Sequence, residues 1–130
     1  MNNIRWKQRF ENFERSVKNL EKALNIKTPD EVYRAGIIQL FEISFELAWK
    51  TLKDFLEVSG YLVKSPRETI QQSYKDEIIE NGHTWIDALE KRNLMAHTYD
   101  EETSLEAECL IREKYFFILK QLLNKLENER

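Results

Sequence analysis

The stretch Lys91-Arg92-Asn93-Leu94-Met95-Ala96-His97-Thr98-Tyr99-Asp100 gathers the side chains best suited to chemistry. They stand where helical apolar spacing fades, just before the acidic run Asp100-Glu101-Glu102. An arginine can grip a phosphate through two parallel hydrogen bonds, and histidine titrates near neutral pH. On an unbroken helix Arg92 and His97, five apart, project about 140° from one another. They share a face only if the helix ends between them. A plainer role is open too: at a helix C-terminus both cations offset the dipole and the free carbonyls.

Other candidates carry less. His83, His97 and Cys109 have no zinc-ligand spacing, so no metal is expected, and one cysteine allows no internal disulfide. Neither a Gly-Ser strand-turn with paired aspartates nor a phosphate-cradling glycine loop occurs, which excludes this chain as a nucleotidyltransferase catalyst. Glu42, Glu46, Trp49 and Lys53 form a polar-edged stripe that reads as a solvated face or an ion-pair ladder. Arg112 falls in the run Leu105, Cys109, Arg112, Phe116, Leu119, spaced 4, 3, 4, 3. A charge at such a position wants a carboxylate partner, with Glu42 or Glu46 as candidates, or else points into a cleft. Cys109 in that run reads as a small core hydrophobe. Trp85 reads as core or dimer packing, and His83 as a loop residue.

The elements that must hold these residues are helices. Glycine and proline occupy only five of 130 positions (Gly36, Gly60, Gly82, Pro29, Pro66), too few turns for a sandwich or barrel. Trp6, Phe10, Phe13, Val17, Leu20 and Leu24 recur on one helical face. Thr28-Pro29 with Glu31 predicts the start of a second helix, which Gly60 closes. Ser65-Pro66-Arg67-Glu68 starts a third, running to Ile79. Asn81-Gly82 breaks it, and Thr84 with Asp87 restarts it through about Ala96. A last helix spans about Ser104 to Leu126. Two stripes on the second helix, one through Ile37, Phe41, Phe45, Ala48, Leu52 and Phe55 and one through Gly36, Leu40, Ile43 and Leu47, are wide enough for a central position in the bundle or for a second packing surface, hence a dimer. Gly36 implies close helix–helix approach. The expectation is an all-α, antiparallel up-and-down four-helix bundle, residues 1–130 as a single domain, with the third helix interrupted near Gly82.

Composition narrows the function classes. A 42% apolar and 33% charged chain is no disordered polymer, and a net charge of −3 argues against a broadly basic nucleic-acid binder. Residues 1–27 are nevertheless basic, with seven cationic and three acidic side chains. The start MNNIRWKQRF lacks an apolar signal segment, and no run approaches a membrane span. A cytoplasmic protein is expected.

Phe41 through Leu56, Ser65-Pro66-Arg67-Glu68 and Trp85 through Glu102 resemble the nucleotidyltransferase substrate-binding family, a branch of the HEPN superfamily of small helical bundles. That family's signature of Arg, four residues, His, one residue, Tyr is matched by Arg92, His97 and Tyr99, and Asn93 fits the wider pattern. The resemblance implies a homodimer with two signature segments facing one cleft, and a separate minimal nucleotidyltransferase as partner. It implies a metal-independent ribonuclease toxin, with no cofactor, neutralised by that partner through AMP transfer to Tyr99. His97 would then move protons, Arg92 would clamp phosphate, Asn93 would support the backbone or phosphate, and Tyr99 would stack or hydrogen-bond near the scissile site. The alternative is a noncatalytic subunit that binds nucleotide or another substrate for the transferase.

Overall fold

A computed structural model describes residues 3–95 and 100–130. Among these residues there are six α-helices: α1 (Asn3–Leu24), α2 (Glu31–Val58), α3 (Pro66–Lys75), α4 (Gly82–Met95), α5 (Glu101–Leu110) and α6 (Phe116–Glu127). A π-helical turn, Ile111–Tyr115, joins the last two into one long rod. No strand occurs among the described residues. Nor, among them, is any helix long and apolar enough to cross a membrane.

Contacts set the directions. Arg9 pairs with Asp54 at 2.7 Å and Arg5 with Glu57 at 3.9 Å, so α2 runs back along α1, and these cations of the basic first helix are engaged within the bundle. Asn81 bonds Gln121 at 3.0 Å and Asp87 accepts from Tyr115, which sets α4 against the α5–α6 rod. Lys120 meets Glu21 at 3.1 Å, placing the rod antiparallel to α1. The four long elements therefore run up, down, up and down, as the periodicity predicts. Their buried faces merge into one core, led by Trp6, Phe10, Phe13, Phe41, Phe45, Trp85 and Tyr115.

The interruption of the third helix is a reversal. Arg67 pairs with Glu90 at 3.2 Å and Tyr74 lies on Gly82, so α3 folds antiparallel onto α4 as a helical hairpin. The expected run to Ile79 stops at Lys75, because Asp76 caps it and Glu77 takes a left-handed φ of 62°. Helix α4 restarts at Gly82, before Thr84, with the Trp85 N–H bonded to the Asn81 carbonyl at 3.0 Å.

Local start and stop signals hold unevenly. Ser65 and Glu68 form the reciprocal capping box, and Gly60 ends α2 at φ 96°. The start of α2, however, falls at Glu31: the Asp30 carboxylate accepts from the Tyr33 N–H at 2.7 Å, a stronger cap than Thr28 two residues outside. Asp100 likewise caps α5 through the Thr103 N–H at 2.7 Å, starting the last rod at Glu101 instead of Ser104. The α5 face is also turned from the expected one. Ala107 and Glu108 are buried, whereas Cys109 and Leu105 are exposed, so Cys109 is not a core residue.

Gly36 does not mark a close approach: a Cβ built there meets nothing within 4 Å. It therefore weakens α2 without a packing return inside the chain. Gly36→Ala is expected to stabilise the protein by up to about 1 kcal/mol, read from its denaturant midpoint. A lower midpoint would contradict the open space around this position.

Candidate functional site

Arg92 and Asn93 lie in the last turn of α4, with Lys91 before them. The Arg92 side chain keeps 20% of its exposure and is held on three sides. Its Nη1 donates to Glu46 Oε1 at 2.5 Å, its Nη2 to Asn93 Oδ1 at 3.1 Å, and its guanidinium sits 5.7 Å from the Phe45 ring centroid. The bond to a carboxylate is of the strong, charge-assisted kind, and the ring adds a cation–π contact. This arrangement fixes the guanidinium as a planar donor at the edge of an open groove. Gln39, Glu42, Ile43, Glu46, Leu47 and Asn93 complete the lining, and the groove, open to solvent, offers about 760 Å³. That volume suits a small-molecule ligand.

The two carboxylates in the groove are shifted in opposite directions. Burial pushes the Glu42 carboxyl above its ordinary 4.5, and the nearby Arg92 charge only partly offsets this. Burial pushes Glu46 the same way, but Lys50, the Trp49 indole and Arg92 together outweigh it and hold Glu46 below 4.5. Lys50 lies 3.2 Å from Glu46 and Lys53 lies 3.3 Å from Glu57, so two members of the expected stripe form ion pairs, each with a residue outside it. Glu46 belongs to the site as well as to the stripe. Its tie to Arg92, across 46 positions, leaves no local signal in the sequence.

Of the predicted site residues, Arg92 and Asn93 come together at the groove. His97 and Tyr99 lie outside the described residues, as do Ala96 and Thr98. Among the described residues no group of three or more His, Cys, Asp or Glu is arranged to hold a metal ion. His83 lies in the first turn of α4, not in a loop. Trp85 is core, 5.7 Å from Phe45.

Arg112 has a different partner from those expected. It donates to Glu108 Oε2 at 2.7 Å and to the Leu24 carbonyl at 2.8 Å, and also to the Ile26 carbonyl. Its carboxylate is neither Glu42 nor Glu46, since the rod delivers Arg112 to the C-terminal end of α1. There it satisfies carbonyls that the helix leaves open. Glu108 also accepts from Arg34 at 2.9 Å, and Arg34 donates to the Pro29 carbonyl at 3.2 Å. This is a strut between α1, α2 and α5, away from the Arg92 groove.

Comparison with solved structures finds the same architecture elsewhere. A protein from Thermus thermophilus is 26% identical, with a TM-score of 0.81 over 88% of this chain and 98% of that one. A Haemophilus influenzae protein, described as revealing the fold of a substrate-binding domain of a nucleotidyltransferase, is 22% identical. It aligns with a TM-score of 0.66 over 94% of this chain and 96% of that one, a likeness of fold. No curated protein matches the chain. The model of one family, described as nucleotidyltransferase substrate binding protein like, matches residues 8–128. Most of α1 and all of α2 to α6, with the Arg92-bearing end of α4, fall inside that span, and the chain belongs to this nucleotidyltransferase substrate-binding family.

Proposed function

We propose that this chain is the noncatalytic, substrate-binding subunit of a two-component nucleotidyltransferase, with the groove at Arg92 as its nucleotide site. The observation that carries the reading is the guanidinium fixed by Glu46, Asn93 and Phe45 at the edge of an open groove. A positioned arginine recognises phosphate oxygens through paired donors, while Ile43 and Leu47 offer an apolar wall to a base or sugar. Membership of the family supports a transferase as partner. The subunit acts as a single-domain homodimer in the cytoplasm. The α2 stripe supports the pairing outside the groove: Val32 stays 82% exposed, in line with half-buried Leu40.

The reading is tested by calorimetry with AMP and ATP, and by co-purification with the transferase. Arg92→Ala is expected to weaken nucleotide binding at least tenfold, the scale of a charge-assisted contact to phosphate. Arg92→Lys is expected to recover only part, because an ammonium lacks the planar fork. Unchanged affinity in Arg92→Ala overturns the assignment.

A second reading places the chain in the HEPN superfamily as a metal-independent ribonuclease toxin. Its partner would be an antitoxin transferring AMP to the Tyr99 hydroxyl. The observation favouring it is the Arg92, His97, Tyr99 spacing. Against it stands the family model that matches the chain, whose description is of substrate binding. RNA cleavage by the purified protein, lost in His97→Ala, would favour the toxin over the binding subunit.

A further inference from the structure

The π-helical turn at Ile111–Tyr115 breaks an otherwise continuous rod, and the Phe116 N–H reaches back five residues to the Ile111 carbonyl. Such a turn inserts one residue into the α-helical path, a rare departure that often accompanies a function. The side chain that it aims at α4 is Tyr115. Tyr115 is fully buried, stacks on Phe41 at 5.4 Å with the rings 22° apart, and donates its hydroxyl to Asp87.

Two routes lead from this bond to Arg92. One is covalent: Asp87 stands on α4 five residues before Arg92, so fixing Asp87 fixes the rotation of the helix that carries the guanidinium. The other runs through rings. Phe41 lies 5.9 Å from Phe45, and Phe45 faces Arg92. Packing alone accounts poorly for the arrangement. A phenylalanine at 115 would fill the same core without a hydroxyl to satisfy, and a regular α-helix would keep the backbone bonds that the π turn gives up. Asp87 also meets Lys91 at 3.4 Å, but a half-exposed pair one turn along the same helix cannot set that helix against its neighbour.

The geometry points to Tyr115 and Asp87 as positioning residues for the Arg92 groove, with the π turn as the device that brings the tyrosine to α4. Neither residue lines the groove. They act through the orientation of α4, where a displacement of about 1 Å is enough to spoil a donor fork. The inference rests on the reading of the Arg92 groove as the nucleotide site.

The experiment uses the full chain and Tyr115→Phe, which keeps the ring stack and removes the hydroxyl. Three quantities are read: the Arg92 Nε–H resonance without ligand, AMP affinity by calorimetry, and the thermal midpoint. The expected result is a midpoint within a few degrees of wild type, an AMP affinity lowered about three- to tenfold, and a shifted or broadened Arg92 resonance. Asp87→Ala should reproduce these changes, while Asp87→Asn, whose amide oxygen still accepts from Tyr115, should restore the wild-type resonance. A wild-type Arg92 resonance in Tyr115→Phe overturns the positioning role. If Arg92→Ala binds AMP as wild type does, the groove assignment fails instead, and the ligand-free resonance still decides the positioning.

Discussion

Glu108→Ala is expected to lower the unfolding free energy by about 3 kcal/mol and the thermal midpoint by roughly 10 °C. Glu108 is 7% exposed and Arg34 is 8% exposed, and the carboxylate lies between Arg34 and Arg112. Removing it leaves two cations facing each other in a poorly hydrated seam, and each keeps only backbone carbonyls as acceptors. The loss belongs at the lower end of the range for breaking a buried pair, because the Arg112 side chain keeps 22% of its exposure and water can reach it. The pair Arg34→Met with Glu108→Leu should recover part of the loss, since the Arg34 site no longer needs a counter-charge while Arg112 keeps two carbonyls and access to water.

Acid supplies an independent check on the same strut. Burial pushes Glu108 up, but the bonds from Arg112 and Arg34 outweigh it and hold the carboxyl below 4.5 in the folded protein. A depressed carboxylate contributes stability that is full above the unfolded value and fades as pH falls through the folded one. Wild type and Glu108→Ala should therefore differ fully near neutral pH and converge progressively below 4.5. A gap that stays constant into acid would mean that the carboxylate charge is not what holds the strut.

What the residues reveal in advance depends on the reach of the interaction. Trp6, Phe10, Phe13, Val17, Leu20 and Leu24 show their helix through spacing alone, and all six are buried. The Ser65 box and Gly60 are legible because a cap is made within four residues. The reversal between α3 and α4 is hidden. It turns on Glu77 at positive φ, and no residue preference marks a glutamate for that conformation. Arg92 is legible as a candidate from its type and neighbours, yet what makes it a site is Glu46 from another helix and Phe45 beneath it. Arg112 shows the same limit: the need for a carboxylate is legible, but the choice of Glu108 depends on which face of α5 turns inward. The π turn shifts register within a rod whose apolar pattern looks unbroken.

Phe45 joins fold and site, and two substitutions should separate its roles. Phe45→Ala is expected to destabilise the protein by about 3–5 kcal/mol, since the ring is fully buried against Phe41 and Trp85 and its removal leaves a cavity. Phe45→Leu keeps most of the volume and should lose under about 1.5 kcal/mol. Both variants remove the π face beneath Arg92, a contact worth about 0.5–2 kcal/mol depending on how dry it is. Nucleotide affinity should therefore fall by a similar factor in Phe45→Leu and, at temperatures where it remains folded, in Phe45→Ala, although their denaturation midpoints differ widely. If affinity tracked stability instead, with Phe45→Leu binding AMP as wild type does, the ring would matter only as core. Glu46 and Asn93 would then be sufficient to hold the guanidinium. A fall in Phe45→Leu at nearly full stability would show that the groove needs its arginine clamped from below as well as from the side.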